Sequence, residues 1–488
     1  MATVLGANSV TGGFDVANSA RFESGSSDSL RWNSGANGNM ILWTVSMWIK
    51  RGKFGTEQTV WKWGSNASAE GGIYFDANDQ LVFINDSQNG GSNEVDGVFR
   101  DPSAWYHVVW ACDTAQSSNA NRWKVYINGV QRTLTGGPSI SQANGQINQG
   151  ATHQNWIGDS PRSLQSGTSS SFFSGYIAEV VFIDGAALAP TSFGEFDDSG
   201  IWKPIESVAD LTFGTYGYYL NFQNAAELGT DVSGESNTFS ESNISDVHQT
   251  EDTPTNNFAT MNPLNVPAAN GPVFSNGNLN LDSAANGNKF HGSSTIGVSS
   301  GKWYMEFKPK SGVYSFLGIT GDPAEDARNT VNPGYSVSSW GYYQADDGGA
   351  AARVANDNDT GNVGGSWEGY AVNDIIGIAL NLDTLQSGLN KLYFSKNGVW
   401  QNGTDPEDFT SVTGVVGITP PASVPAGAYF FVMGDAAADS SSKAIANFGN
   451  PDYANSSSVA DGNGFGDFEY AVPSGFLSLC TKNLGKYG

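Results

Sequence analysis

Apolar side chains along this chain alternate with polar ones over short runs, and clusters of Gly, Asn, Asp and Ser separate the runs. That period of two is the signature of half-buried β-strands. Trp43–Lys50 (WTVSMWIK) alternates large apolar with small polar positions. Ile73–Ile84 reads as two strands around an Ala-Asn-Asp turn, and Trp105–Cys112 (WYHVVWAC) as another strand. In Arg122–Gln131 the side chains of Trp123, Val125 and Ile127 share one face, and Asn128-Gly129 suits a two-residue type I′ turn, whose positive φ angles Asn and Gly adopt at least cost. Phe172–Ile183 closes this series as a long strand. Leu211–Phe222 is too apolar for a free linker and is expected to return as a strand against the first domain, whereas Asp231–Asn257 has the Ser/Asn/Asp/Thr composition of an extended linker.

A second series follows. Gly301–Lys308 (GKWYMEFK) predicts Trp303, Met305 and Phe307 inward, with Lys302, Tyr304, Glu306 and Lys308 outward. Tyr314–Thr320 is a strand. Asp374–Asp383 places Ile376, Ile378, Leu380 and Leu382 on one face, and Lys391–Trp400 carries an Asn397-Gly398 turn. No long segment of period 3.6 appears. The expected architecture is all-β: two tandem antiparallel β-sandwich (jelly-roll) domains, a connecting segment and a short C-terminal extension. The boundaries read 1–205, 206–257, 258–450 and 451–488. A chain of 488 residues fits this, since one core rarely serves so many.

Composition narrows the function. The chain holds 61 Gly, 14 Trp, 18 Tyr and 27 Phe, a turn-rich and aromatic mixture. Its 48 Asp plus Glu against 23 Lys plus Arg give a net charge of −25, which repels phosphate backbones and anionic bilayers. Neither nucleic-acid binding nor membrane insertion is expected, and no run approaches the ~18 apolar residues of a membrane span. Cys112 and Cys480 are the two cysteines, too few for a disulfide scaffold. Met1–Leu5 shows no basic stretch followed by an apolar one, so synthesis in a cytoplasm without a signal peptide is expected.

Catalytic chemistry finds little support. The four histidines, His107, His153, His248 and His291, have no metal-pair spacing; His107 reads as a core-edge residue and the others as solvated. No nucleophile elbow and no phosphate-binding loop are present. The rival reading is a carbohydrate-active enzyme, a glycoside hydrolase or lyase, which needs carboxyl groups converging on one sugar bond. Glu195, Asp197 and Asp198 cluster after Pro190 and read as a solvated loop; Glu325 and Asp326 are adjacent in a turn and diverge. No catalytic residue is assigned and no enzyme activity is expected. Acidic turns could hold calcium, with Asp76, Asp79, Asp346 and Asp347 as candidate ligands near Asp86, Asp357 and Asp359; no other cofactor is expected.

The motifs also carry resemblances. WTVSMWIK, WYHVVWACD, VYINGVQ and GYIAEVVFIDGAAL, in this order over 40–190, resemble a laminin-G-like, pentraxin-like domain of the concanavalin A-like superfamily. GKWYMEF, GITGDP, NDIIGIALNLD and LYFSKNG resemble a SPRY domain over about 290–435. SPRY membership implies recognition of a partner through loops rather than catalysis. Trp340, Tyr342 and Tyr343, with Trp367 and Tyr370, lie where such a domain presents its binding surface, and are the candidate ligand-binding residues; Trp61 and Trp63 read as core. The closing segment Gly464–Leu484 and the run NNFATMNPL at 256–264 resemble structural proteins of bacterial viruses. Together the resemblances imply a non-enzymatic phage virion-surface protein, a tail fibre, receptor-binding head or capsid decoration. Its implied partners are other virion proteins and a host-surface glycan or protein, with homo-oligomerisation in the particle.

Overall fold

The computed structural model describes residues 13–66, 69–85, 93–135, 154–164, 171–266, 271–283, 290–311, 315–324, 333–344, 352–357, 363, 365–411, 413–435 and 443–487. The protein is all-β, and its chain divides between Asn257 and Phe258 into two compact units.

In the first unit, two antiparallel sheets face one another across a shared core. One sheet runs in the order Val130–Arg132, Trp123–Ile127, Trp105–Asp113, Leu42–Arg51, Gly175–Asp184, Ser19–Phe22, Gln249–Thr250, with Tyr218–Leu220 also paired to Gly175–Asp184. The other runs Ser240–Ser242, Ser29–Asn33, Gln154–Ile157, Gln58–Asn66, Ala69–Phe75, Leu81–Asn85, Asn93–Glu94. The core between them is aromatic. Trp43 meets Trp110 edge-on at 4.8 Å, Trp110 meets Trp123 at 4.8 Å, and the Trp61 indole donates to the Tyr218 hydroxyl at 2.8 Å. Edge-to-face contacts of this kind add to the large area such rings bury. The expected hairpin at Asn128-Gly129 has φ of 48° and 76°, as a type I′ turn requires.

Leu42–Arg51 is buried on both faces, although its sequence alternates. Trp43, Val45, Met47 and Ile49 point into the core. The opposite face is covered by the segment that follows the Gly175–Asp184 strand. Phe193, Val208 and Phe213 pack on Val109, Val181 and Ile183, and Trp202 joins Trp48, Trp105 and Tyr176. Residues 206–257, expected as a connecting segment, are part of this unit. Tyr218–Leu220, Ser240–Ser242 and Gln249–Thr250 are strands of its two sheets, and Asp252 forms a fully buried ion pair with Lys50 at 2.6 Å. Polar composition misled here because the segment's Ser, Asn and Asp side chains bond to its own backbone. Asp231, for example, accepts from the N–H groups of Tyr219, Ser233 and Asn237.

The second unit is also a pair of mainly antiparallel sheets. The larger runs Val273–Ser275, Asn280–Asp282, Lys443–Asn447, Lys302–Ser311, Ile376–Gln386, Leu389–Lys396, Val399–Trp400, with Val416–Ile418 on Leu389–Lys396. The smaller runs Phe290–Ser293, Phe430–Asp435, Ser315–Thr320, Ser339–Tyr343, Arg353–Ala355. Trp303, Met305, Phe307, Ile376, Ile378 and Leu380 enter the core, as the alternation predicts. The expected C-terminal extension is instead part of this unit. Leu477–Ser478 pairs in parallel with Lys302–Ser311, and Thr481–Tyr487 forms a short helix. His291, expected in a polar loop, lies wholly buried on Phe290–Ser293, and burial lowers its pKa to about 3, so the ring is neutral.

Candidate binding cleft

The candidate ligand-binding aromatics turn out to be core. Trp340 and Trp367 are only 4% and 8% exposed, and Tyr342, Tyr343 and Tyr370 are equally sequestered. Ser339–Tyr343 is a strand covered on both sides. Tyr342 meets Tyr370 edge-on at 5.1 Å and Trp367 at 5.3 Å, while its hydroxyl donates to the Glu368 carbonyl. Tyr370 donates to the Ser315 carbonyl at 2.8 Å, Trp340 packs on Tyr429, and Tyr343 stacks on Phe316. With their rings packed inside and the Tyr342 and Tyr370 hydroxyls bonded to backbone carbonyls, these five side chains belong to the interior of the unit.

The described candidate metal ligands, Asp76 and Asp79, are each engaged within the protein. Asp76 caps its own turn, Oδ1 accepting from the N–H groups of Asn78 and Gln80. Asp79 is buried between Arg51 at 3.0 Å and Arg100 at 2.6 Å. Burial pushes its pKa up, but the Gly55 N–H and the two guanidiniums outweigh that and hold it low. Its charge is already matched by cations, which a calcium ion would have to displace. Asp346, Asp347, Asp86 and Asp359 lie outside the described residues, as do His153, Glu325 and Asp326. Among the described residues no cluster of three or more His, Cys, Asp or Glu could hold a metal ion.

The acidic loop of the first unit behaves as a solvated turn. Glu195 is exposed and pairs with Lys203 at 3.4 Å, while Asp197 Oδ1 accepts from the N–H groups of Ser199 and Ile201. A Ser–His contact does occur nearby: Ser46 Oγ lies 2.8 Å from His107 Nε2. The Trp202 indole N–H donates to His107 Nδ1 at 2.9 Å, so in the neutral ring Nε2 carries the hydrogen and donates to Ser46. A general base needs its lone pair on that nitrogen. Burial lowers the His107 pKa to about 3, and Trp48 stacks on the ring at 4.6 Å, which makes this a neutral core histidine.

A different site has the shape of a ligand cleft. It lies on the outer face of the larger sheet in the second unit, with a volume of about 270 Å³, and Tyr304, Ser395, Trp400, Asp405, Glu407 and Tyr470 line it. Trp400 ends the hairpin that turns at Asn397-Gly398, where φ is 49° and 76°. Gly398 is required twice over, by that backbone and by contact: a Cβ there would fall 2.6 Å from Tyr470 Cδ1. Trp400 and Tyr470 are part-exposed, and Asp405 and Glu407 are exposed. Asp405 Oδ1 accepts the Glu407 N–H at 2.8 Å, and Glu407 Oε1 accepts the Ser474 N–H at 2.8 Å, leaving the second oxygen of each carboxylate unbonded among the described contacts.

Beneath the cleft, Glu306 pins its wall. This fully buried carboxylate accepts from Tyr304 Oη at 3.0 Å, the Glu469 N–H at 3.0 Å, the Tyr470 N–H at 2.9 Å and Asn447 Nδ2 at 3.2 Å. Burial raises its pKa to about 7 although all four donors lower it. Gly377, opposite, leaves room for the Tyr304 hydroxyl, since a Cβ there would approach it to 2.7 Å. Tyr304 and Glu306 were expected outward; they are covered because the segment around 468–476 lies across them, with Phe468 and Phe476 packed on Tyr304, Ala379 and Tyr393. None of the cleft residues was singled out from sequence. The available signal was a Glu and a Tyr on the supposedly wet face of GKWYMEF, opposite an aromatic C-terminal segment.

Residues 24–191 match the Laminin_G_3 family, described as the Concanavalin A-like lectin/glucanases superfamily. Solved structures with a similar course include the SPRY domain of human HERC1 (17% identity, TM-score 0.26, covering 36% of this chain and 91% of that one). A heptameric SAP-like pentraxin from Limulus polyphemus is similar at 14% identity and a TM-score of 0.27, covering 36% of this chain and 80% of that one. Domain 4 of AbnA, an extracellular arabinanase of Geobacillus stearothermophilus solved with arabinotriose, shares 20% identity at a TM-score of 0.24, over 33% of this chain and 66% of that one. No curated protein matches the sequence. Residues 24–191 of the first unit are similar to the concanavalin A-like lectin and glucanase superfamily; the remote likenesses assign neither ligand nor activity.

Proposed function

We propose that this chain is a non-enzymatic recognition protein that binds a carbohydrate through the Trp400–Tyr470 cleft, and that it does so at the surface of a phage virion. The observation that carries the reading is the cleft itself: two part-exposed aromatic rings beside two carboxylates whose outer oxygens can accept sugar hydroxyls. A pyranose ring has an apolar face that stacks on an aromatic ring and an equatorial fringe of donors, which is the complement of this lining. The virion assignment is supported by the resemblance of the closing segment to structural proteins of bacterial viruses, and other virion proteins are its expected partners.

Screening the full chain against a panel of glycans, alongside W400A, tests the reading. Binding of at least one glycan that W400A weakens by about tenfold or more is expected, at the ~1–3 kcal/mol of a lost aromatic anchor. Absence of any binding, or binding indifferent to W400A, refutes it. The virion assignment is tested by finding this chain, or failing to find it, among the proteins of purified particles of the phage that encodes it. One observation favours a second reading, a glycoside hydrolase: Asp405 and Glu407 are two carboxylates in one aromatic cleft. Under the proposed reading the bound glycan releases no reducing ends. Release that E407Q abolishes would establish the enzyme instead.

A further inference from the structure

We infer that the sugar taken by the Trp400–Tyr470 cleft carries a protonated amine, as a 2-amino-2-deoxyhexose does; the inference rests on the glycan-binding reading above. Two charged groups line the cleft, Asp405 and Glu407, and both are acidic. The ammonium groups nearby are committed elsewhere. Lys391 Nζ donates to the carbonyls of Phe409 and Ser411, and Lys302 Nζ sits over the Phe409 ring at 4.1 Å.

The carboxylates are held in place independently of any ligand, through the Glu407 and Ser474 N–H groups. Each therefore has one oxygen engaged by the backbone and the other turned over to a ligand. The rings add to the preference, because the electron-rich face of an indole or phenol attracts a cation. The part-exposed Trp400 and Tyr470 line the cleft together with the two carboxylates. A uronic or sialic acid would bring a third negative charge into this lining, on a chain whose net charge is −25. An N-acetylated sugar is neutral and gains nothing from the carboxylates beyond hydrogen bonds. The free amine is the substituent that uses all of the lining groups.

Calorimetric titration of the full chain with glucosamine tetramers, N-acetylglucosamine tetramers and oligogalacturonate tests this. The glucosamine oligomer should bind about tenfold more tightly than its acetylated counterpart at low salt, and high salt should shrink that ratio. The oligogalacturonate should be the weakest. The D405N/E407Q double variant keeps both backbone hydrogen bonds, since each amide retains an acceptor oxygen, so its fold and its aromatic contacts are preserved. It should bring the two glucosamine series to equal affinity. Equal or tighter binding of the acetylated oligomer by the wild-type chain overturns the inference; if that binding still depends on Trp400, the glycan reading survives it. A lysine-containing tripeptide bound as tightly as the glucosamine tetramer overturns the assignment of the amine to a sugar. No binding of any saccharide, here or in the wider panel, removes both readings.

Discussion

Replacing Glu306 by Ala should loosen the C-terminal segment from the second unit and with it one wall of the cleft. The wild-type carboxylate accepts four hydrogen bonds, from Tyr304, Asn447, Glu469 and Tyr470, at 2.9–3.2 Å. Ala removes every acceptor. The Tyr304 hydroxyl is left stranded in a fully buried residue, whereas Asn447 Nδ2 keeps the Asp467 carbonyl as an acceptor at 2.9 Å. A buried donor left unbonded costs about 1–3 kcal/mol, so the Tyr304 hydroxyl alone predicts a loss of about 1–3 kcal/mol. The N–H groups of Glu469 and Tyr470 belong to a half-buried surface segment and can reach water once it lifts, adding less. Urea unfolding followed by tryptophan fluorescence gives the loss as a midpoint shift, and amide hydrogen exchange localises it. Exchange at 469 and 470 should accelerate well beyond that of the Ile376–Gln386 strand. An unchanged midpoint with both amides still protected would refute the pinning argument. E306Q supplies a control: it retains one acceptor oxygen, so it should fall between wild type and E306A.

Four further outcomes follow from the packing. Asp252→Ala should cost about 3–5 kcal/mol in a chemical melt, because it removes the carboxylate that balances the Lys50 ammonium at a site where it is 1% exposed, leaving the neutral Asn257 Oδ1 among its acceptors. Trp340→Ala should cost a similar ~3–5 kcal/mol as a core truncation and leave glycan affinity unchanged; lost affinity with full stability would restore it as a surface residue. Glu179 is buried, and burial raises its pKa to about 7 against a single hydrogen bond from Tyr219. Its folded pKa exceeds the unfolded value of about 4.5, so its contribution is complete below pH ~4.5 and is lost as pH rises towards 7. The stability difference between wild type and E179Q should therefore change across pH 4.5–7, by up to about 3 kcal/mol. His107→Phe should flatten the acid limb between about pH 6.5 and 3, where the neutral buried ring must be protonated on unfolding.

How much of this was legible beforehand differs between fold and site. GKWYMEF reads as a strand, and Trp303, Met305 and Phe307 enter the core as its period of two requires. The same period sends Tyr304 and Glu306 to the other face correctly, but says nothing about what lies over that face. Trp340, Tyr342 and Trp367 show the converse error: aromatic residues in a Gly-rich stretch look like an exposed platform, yet their rings fill the core between the two sheets of that unit.

Local alternation, turn chemistry and composition thus determined the all-β class, the shared face of Ile376, Ile378, Leu380 and Leu382, the Asn-Gly hairpins and the acidic charge. These depend on neighbours a few residues apart, where backbone sterics and side-chain direction act directly. The domain limits and the cleft depend on contacts across more than a hundred residues, as between Lys50 and Asp252 or Glu306 and Tyr470. A lone Glu in a strand has the same local pattern whether water or a folded-back segment covers it. Only the tertiary structure decided that, by bringing the N–H groups of Glu469 and Tyr470 to its oxygens.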